Sequence, residues 1–117
     1  MKRYINNLDY EFVRVFGEKL GLRDYHVRFD AEGWHLNFDR DIEMGKNILL
    51  GDFLVETSIS KSFCKEATKL WNVEMYKKFG KPYLRDLKRF KIEKSRINQY
   101  NQEKIIKSEI QEIERNA

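Results

Sequence analysis

The stretch Tyr25-His26-Val27-Arg28-Phe29-Asp30-Ala31-Glu32-Gly33-Trp34-His35-Leu36-Asn37-Phe38 decides the fold. Tyr25, Val27 and Phe29 alternate with His26 and Arg28. Beyond Asp30-Ala31-Glu32-Gly33, the residues Trp34, Leu36 and Phe38 alternate with His35 and Asn37. Successive side chains of a strand point to opposite faces. Period-two alternation on both sides of a Gly-containing turn therefore predicts an antiparallel hairpin over 24–39. With Phe29 opposite Trp34, Val27 meets Leu36 and Tyr25 meets Phe38, so all six apolar side chains share one face; a slip of one residue would turn one strand's set away. The outer face then carries His26, Arg28, His35 and Asn37. Arg28 faces His35, and the two histidines are diagonal neighbours.

Upstream, Ile5, Leu8, Phe12, Val15, Phe16 and Leu20 recur at three- and four-residue steps. This predicts an amphipathic helix over 7–20, capped by Asn6 or Asn7 and stopped by Gly21. Downstream, 40–47 is polar and reads as a loop. The run 48–57 reads as a third strand, although its apolar content also suits a short buried helix. Ser58-Ile59-Ser60 offers caps for a helix over 61–79 that carries Phe63, Ala67, Leu70, Trp71, Met75 and Phe79. Gly80-Lys81-Pro82 ends that helix and opens the next. From Pro82 the pattern is helical almost to the end, through Leu84, Leu87, Phe90 and Ile97 to Ile106, Ile110 and Ile113.

The fold class expected is therefore α+β: a small antiparallel sheet, hairpin plus third strand, packed with an N-terminal helix and two C-terminal helices, the last one long. One domain over 1–117 suits the length. Residues 98–117 form either a docked helix or a protruding, partner-binding tail, because their isoleucine stripe is narrow and an isolated helix of that kind frays.

Aromatic residues make up 14% of the 117 and charged residues 36%, a mixture that packs a core. One cysteine, Cys64, excludes an internal disulfide and, with no apolar run behind Lys2 and Arg3, points to a cytoplasmic protein. No stretch reaches the roughly 18–20 apolar residues of a membrane span. The usage of Lys, Asn and Ile with a single Pro suits a phage or other mobile element.

The net charge is +4, but its distribution says more than the sum. Lys77, Lys78, Lys81, Arg85, Lys88, Arg89, Lys91, Lys94 and Arg96 crowd one short region, opposed there by Asp86 and Glu93. Lys81, Arg85, Lys88, Arg89 and Arg96 fall on one side of the helix that begins at Gly80-Lys81-Pro82. An apolar side lies behind them, an arrangement suited to tracking phosphates; a solvated surface helix gives the same pattern.

His26, Arg28 and His35 make the outer hairpin face a secondary contact, or an acid–base site if a pocket aligned them; an ordinary exposed strand face is the plainer reading. Metal loops and phosphate loops fail on spacing. In Asp39-Arg40-Asp41-Ile42-Glu43-Met44-Gly45 the glycine is one position late and Leu50 stands where a calcium loop needs Glu. Gly45-Lys46 and Gly80-Lys81 lack the preceding glycines. No cofactor and no metal is expected.

The reading that follows is a small non-enzymatic binding protein that engages nucleic acid or a host nucleoprotein complex. The alternative is a protein–protein inhibitor or adaptor of the anti-defence, anti-CRISPR-like kind that blocks a host nucleic-acid enzyme. A small His-dependent nuclease ranks last.

Overall fold

The computed structural model describes residues 3–38, 47–94 and 99–117, with the backbone alone at 38 and 99–102. After a 3-10 turn, Ile5–Asn7, come α1 (Tyr10–Lys19), β1 (Tyr25–Asp30), β2 (Gly33–Phe38), β3 (Asn47–Leu50), β4 (Val55–Thr57), α2 (Lys61–Phe79), α3 (Lys81–Lys94) and α4 (Gln99–Asn116). The class is α+β. Contacts group the chain into two units, Met1–Thr68 and Lys69–Ala117, and the division falls within α2.

In the first unit the four strands form one antiparallel sheet in the order β1-β2-β3-β4. The hairpin register is the one its alternation dictates: Tyr25 pairs with Phe38, Val27 with Leu36 and Phe29 with Trp34. Burial is uneven along that face. Leu36, Ile48, Leu50 and Val55 on the inner strands and β4 are at most 1% exposed. Phe29, on the edge strand β1, is 50% exposed and leans on Trp34, ring centroids 4.8 Å apart. β1 has a sheet neighbour on one side only, whereas β4, the other edge, has the opening of α2 against Val55.

Three local expectations change. Asp9, not Asn6 or Asn7, caps α1: its carboxylate accepts the Phe12 N–H at 2.8 Å. The residues before it wind into the 3-10 turn instead of the helix. The run 48–57 is two strands, not one, because Gly51 N–H donates to Leu54 C=O at 3.0 Å and closes a turn between Leu50 and Val55. Third, Asn47, assigned to the preceding loop by its polarity, is the first residue of β3. Residues 39–46, which include most of the loop read over 40–47, lie outside the described residues.

Asp52 in that turn shapes the N-terminal segment. Its carboxylate accepts the backbone N–H groups of Arg3 (2.9 Å), Tyr4 (3.1 Å) and Ile5 (2.9 Å), donors that a short turn leaves without intrahelical partners. The Trp34 indole N–H then donates to Ile5 C=O at 2.8 Å, which fixes the turn over the sheet. The opening of α2 fastens β4: Thr68 Oγ1 accepts Val55 N–H at 3.1 Å and Cys64 Sγ donates to Val55 C=O at 2.8 Å. Ser60 caps that helix through Phe63 N–H, 3.0 Å.

In the second unit the late part of α2 is buried through Trp71, Asn72, Val73, Glu74 and Met75. The two polar members are engaged: Tyr83 O–H donates to Asn72 Oδ1 at 2.6 Å, and Glu74 sits 3.4 Å from Lys77 Nζ. Gly80, at φ 77°, ends α2, and α3 follows at once. The basic helix read over 81–96 is described as far as Lys94; residues 95–98 lie outside the described set. α4 packs against α3, with Ile106 and Ile113 buried and Lys91 of α3 paired to Glu109 of α4. Among the described residues no helix is long and apolar enough to cross a membrane.

Candidate nucleic-acid interface

At 3.6 residues per turn, Lys81, Arg85, Lys88 and Arg89 fall within an arc of about 100° on α3. All four are exposed. Tyr83, Leu84, Asp86 and Leu87, at the other positions of the same turns, are buried. The apolar positions, and the Tyr83–Asn72 hydrogen bond to α2, thus brace a rigid cylinder whose outward strip is cationic. Half-buried Ile92 falls on the same strip.

The remaining basic residues are dispersed or engaged. Lys77 and Lys78 end α2, Lys77 beside Glu74 and Lys78 with its ammonium 5.9 Å from the centroid of the Phe79 ring. Lys94 lies over the Phe90 ring at 4.6 Å. Arg85, 61% exposed, approaches Asp86 Oδ1 at 3.4 Å, a long contact that leaves most of the guanidinium outward. Lys91 is the member whose role changes. It is 27% exposed and its charge is matched by Glu109, so it serves the α3–α4 contact. Arg96 lies outside the described residues.

The outer hairpin face also departs from expectation. His26 and Arg28 are exposed, but His35 is only 2% exposed. The reason is a closed ring of hydrogen bonds across β1, β2 and β3. Arg28 Nε donates to Asn37 Oδ1 at 2.7 Å. Asn37 Nδ2 donates to Asn47 Oδ1 at 3.0 Å, and Asn47 Nδ2 donates to His35 Nδ1 at 3.2 Å. His35 Nε2 donates to Asp30 Oδ1 at 2.9 Å, and Arg28 Nη1 closes the ring on Asp30 Oδ2. Asp30 also accepts Glu32 N–H at 2.8 Å.

The ring runs from a residue that only donates to one that, ionised, only accepts, so every link has a consistent direction. The His35 hydrogen bond, with smaller contributions from Glu32 N–H and Arg28, holds the Asp30 carboxyl well below the usual carboxylate range. Arg28 and Asp30 neutralise each other, and the histidines are split between a buried ring and an exposed one. This face is a self-satisfied polar surface. His26 and His35 stand diagonally in the register, and both ring nitrogens of His35 are engaged within the ring.

Sequence reading missed Asp30 and Asn47. Asp30 has a signal, since an Asp at the foot of a two-residue turn commonly accepts the N–H two residues on. Asn47 has none, because its place beside His35 depends on the β2–β3 register. Among the described residues no group of three or more His, Cys, Asp or Glu side chains could hold a metal ion. No family model, no curated protein and no solved structure matches this chain.

Proposed function

We propose that this chain is a non-enzymatic nucleic-acid-binding protein that docks through the outward strip of α3. The observation that carries the reading is the placement of Lys81, Arg85, Lys88 and Arg89 on one exposed arc over a buried apolar side. Such a strip places side-chain charge along a phosphate backbone, and binding gains its free energy from the counterions released. The hairpin face adds His26 at most, since Arg28 is already held by Asp30 and Asn37.

Retention on immobilised polyanion, or anisotropy with a labelled oligonucleotide, tests the reading. Lys88→Ala is expected to weaken binding and flatten the salt dependence by about one unit of slope. Lys91→Ala is expected to change affinity less than about twofold, because its charge faces Glu109. Equal losses in the two variants would remove the strip from the interaction.

A second reading draws on a different observation. Tyr10 (56% exposed) and Phe29 (50%) are large apolar side chains left open in the first unit. Aromatic anchors of this kind suit a protein–protein inhibitor or adaptor acting on a host nucleic-acid enzyme. A protein partner that stays bound after nuclease treatment, and is released by Phe29→Ala but not by Lys88→Ala, would favour it.

A further inference from the structure

Resting on the α3 reading, we infer that the strip is built for a double helix and grips its backbone without reading base sequence. The first argument is what occupies the strip. Its exposed positions are Lys81, Arg85, Lys88 and Arg89, flanked by Pro82. The two aromatic rings of α3 are elsewhere: Tyr83 is fully buried and bonded to Asn72, and half-buried Phe90 stands opposite, under the Lys94 ammonium. Proteins that hold single strands stack bases on exposed aromatic side chains, each stack contributing roughly 1–3 kcal/mol. Beside half-buried Ile92 this strip offers cations and no exposed aromatic ring, so a flexible strand aligned on it would lose conformational freedom with no stacking to offset the loss.

The second argument is charge density. From Lys81 to Arg89 the helix rises by about 12 Å, eight steps of roughly 1.5 Å. A double helix carries one phosphate charge per roughly 1.7 Å of axis, about twice the density of one strand, and holds those charges in a stiff array. A straight, braced row of cations matches that array without reorganising it. The release of counterions scales as roughly 0.9 per phosphate for the duplex and 0.7 for a single strand. Four contacts then give salt slopes of about −3.6 and −2.8. Between 1 M and 50 mM salt, the difference between those slopes amounts to about a tenfold duplex preference, other contributions being equal.

The third argument is sequence readout. Base edges are read by several polar side chains that converge in a groove. The four long cations spread over an arc of about 100°, and the described positions of that arc hold no Asn, Gln, Asp or Glu to pair with adenine or cytosine edges, which suits phosphates and gives little discrimination between bases.

The test titrates the full chain against three fluorescein-labelled probes in 50–300 mM KCl: a 20-base-pair DNA duplex, a second duplex of scrambled sequence, and one of the single strands. The inference predicts equal affinity for the two duplexes within about twofold, about tenfold weaker binding of the single strand at 50 mM, and a duplex slope near −3.6. The double variant Lys88→Glu/Arg89→Glu should abolish duplex binding while its circular dichroism and melting are unchanged. Lys61→Glu, an exposed lysine at the start of α2, should bind as the parent does. A single strand bound as tightly as the duplex, or one duplex preferred more than tenfold, overturns the inference and leaves the α3 reading standing. No binding to any probe overturns both.

Discussion

His35 and Asp30 are joined through Nε2 and Oδ1 at 2.9 Å, the imidazole 2% exposed and the carboxylate 36%. That contact sets the direction of the whole polar ring. With the proton on Nε2, His35 Nδ1 is left to accept from Asn47, and Asn47 Oδ1 to accept from Asn37. The neutral imidazole is therefore the Nε2–H tautomer. Nitrogen chemical shifts of His35 at pH 8 should show a protonated Nε2 and a lone pair on Nδ1; the reverse pattern would mean the ring runs otherwise. Asn47→Ala removes one donor and one acceptor from the ring. It should cost about 1–3 kcal/mol in urea unfolding, the usual range for a buried polar group deprived of its partner.

The same contact predicts a pH dependence. Asp30 titrates lower in the folded chain than in the unfolded one, where an aspartate has a pKa of about 3.9. A depressed carboxylate binds fewer protons when folded, so its stabilising effect is fully present above about pH 4 and fades as pH falls toward the folded value. Relative to Asp30→Asn, the parent should lose its stability advantage progressively from pH 4 to 2. Denaturant midpoints for both proteins across that range measure it. An advantage that grows between pH 4 and 2 would contradict the assignment.

These relationships mark where sequence alone stops. The hairpin register was legible because two alternating strands flank a Gly-containing turn, and the bounds of α2 because Ser60 and Gly80 punctuate it. The cationic arc on α3 was legible because helical spacing places Lys81, Arg85, Lys88 and Arg89 without reference to anything else. What was hidden depends on partners distant in the chain. His35 looked like an outward strand residue until Asn47 arrived beside it on β3. Lys91 looked like one more surface cation, since its counter-charge, Glu109, lies 18 residues away. The 48–57 run concealed a turn because Asp52 has its partners in the backbone of residues 3–5, which no side-chain pattern announces.

Asp52 is the next position to test. It is 7% exposed and accepts three backbone N–H groups from the N-terminal segment. A hydrogen bond to a charged acceptor is worth roughly 1.5–3 kcal/mol, but the three bonds share one carboxylate and the N-terminal segment can lift and rehydrate its donors in Asp52→Ala, so the values do not add. A loss of about 2–4 kcal/mol is expected, somewhat less for Asp52→Asn, which retains one acceptor oxygen. Amide exchange localises the effect: the Tyr4 and Ile5 N–H groups should lose protection in the alanine variant while those of β2 hold theirs relative to global unfolding. Unchanged protection at Tyr4 and Ile5 would show that the carboxylate is not what orders this segment.

Gly17 supplies the last prediction. It lies in the last turn of α1, two residues from its end, where glycine costs up to about 1 kcal/mol relative to alanine, so on propensity alone Gly17→Ala should stabilise the chain. The packing opposes this. An added Cβ would stand 2.6 Å from Tyr25 Cε2 and Cζ and 2.7 Å from its hydroxyl oxygen. The Tyr25 ring cannot simply move aside, because its hydroxyl donates to Arg14 C=O at 2.6 Å and so ties β1 to α1. Burial, with the Glu18 carboxylate as a smaller contributor, raises the pKa of that phenol and keeps it a donor over the working pH range. Overpacking of this kind costs roughly 1–3 kcal/mol, enough to cancel or outweigh the helical gain. Gly17→Ala should therefore lower the melting temperature. Made in a Tyr25→Ala background, where the obstructing ring is gone, the same substitution should raise it. A rise in both backgrounds would mean that Tyr25 does not hold α1 against the edge strand.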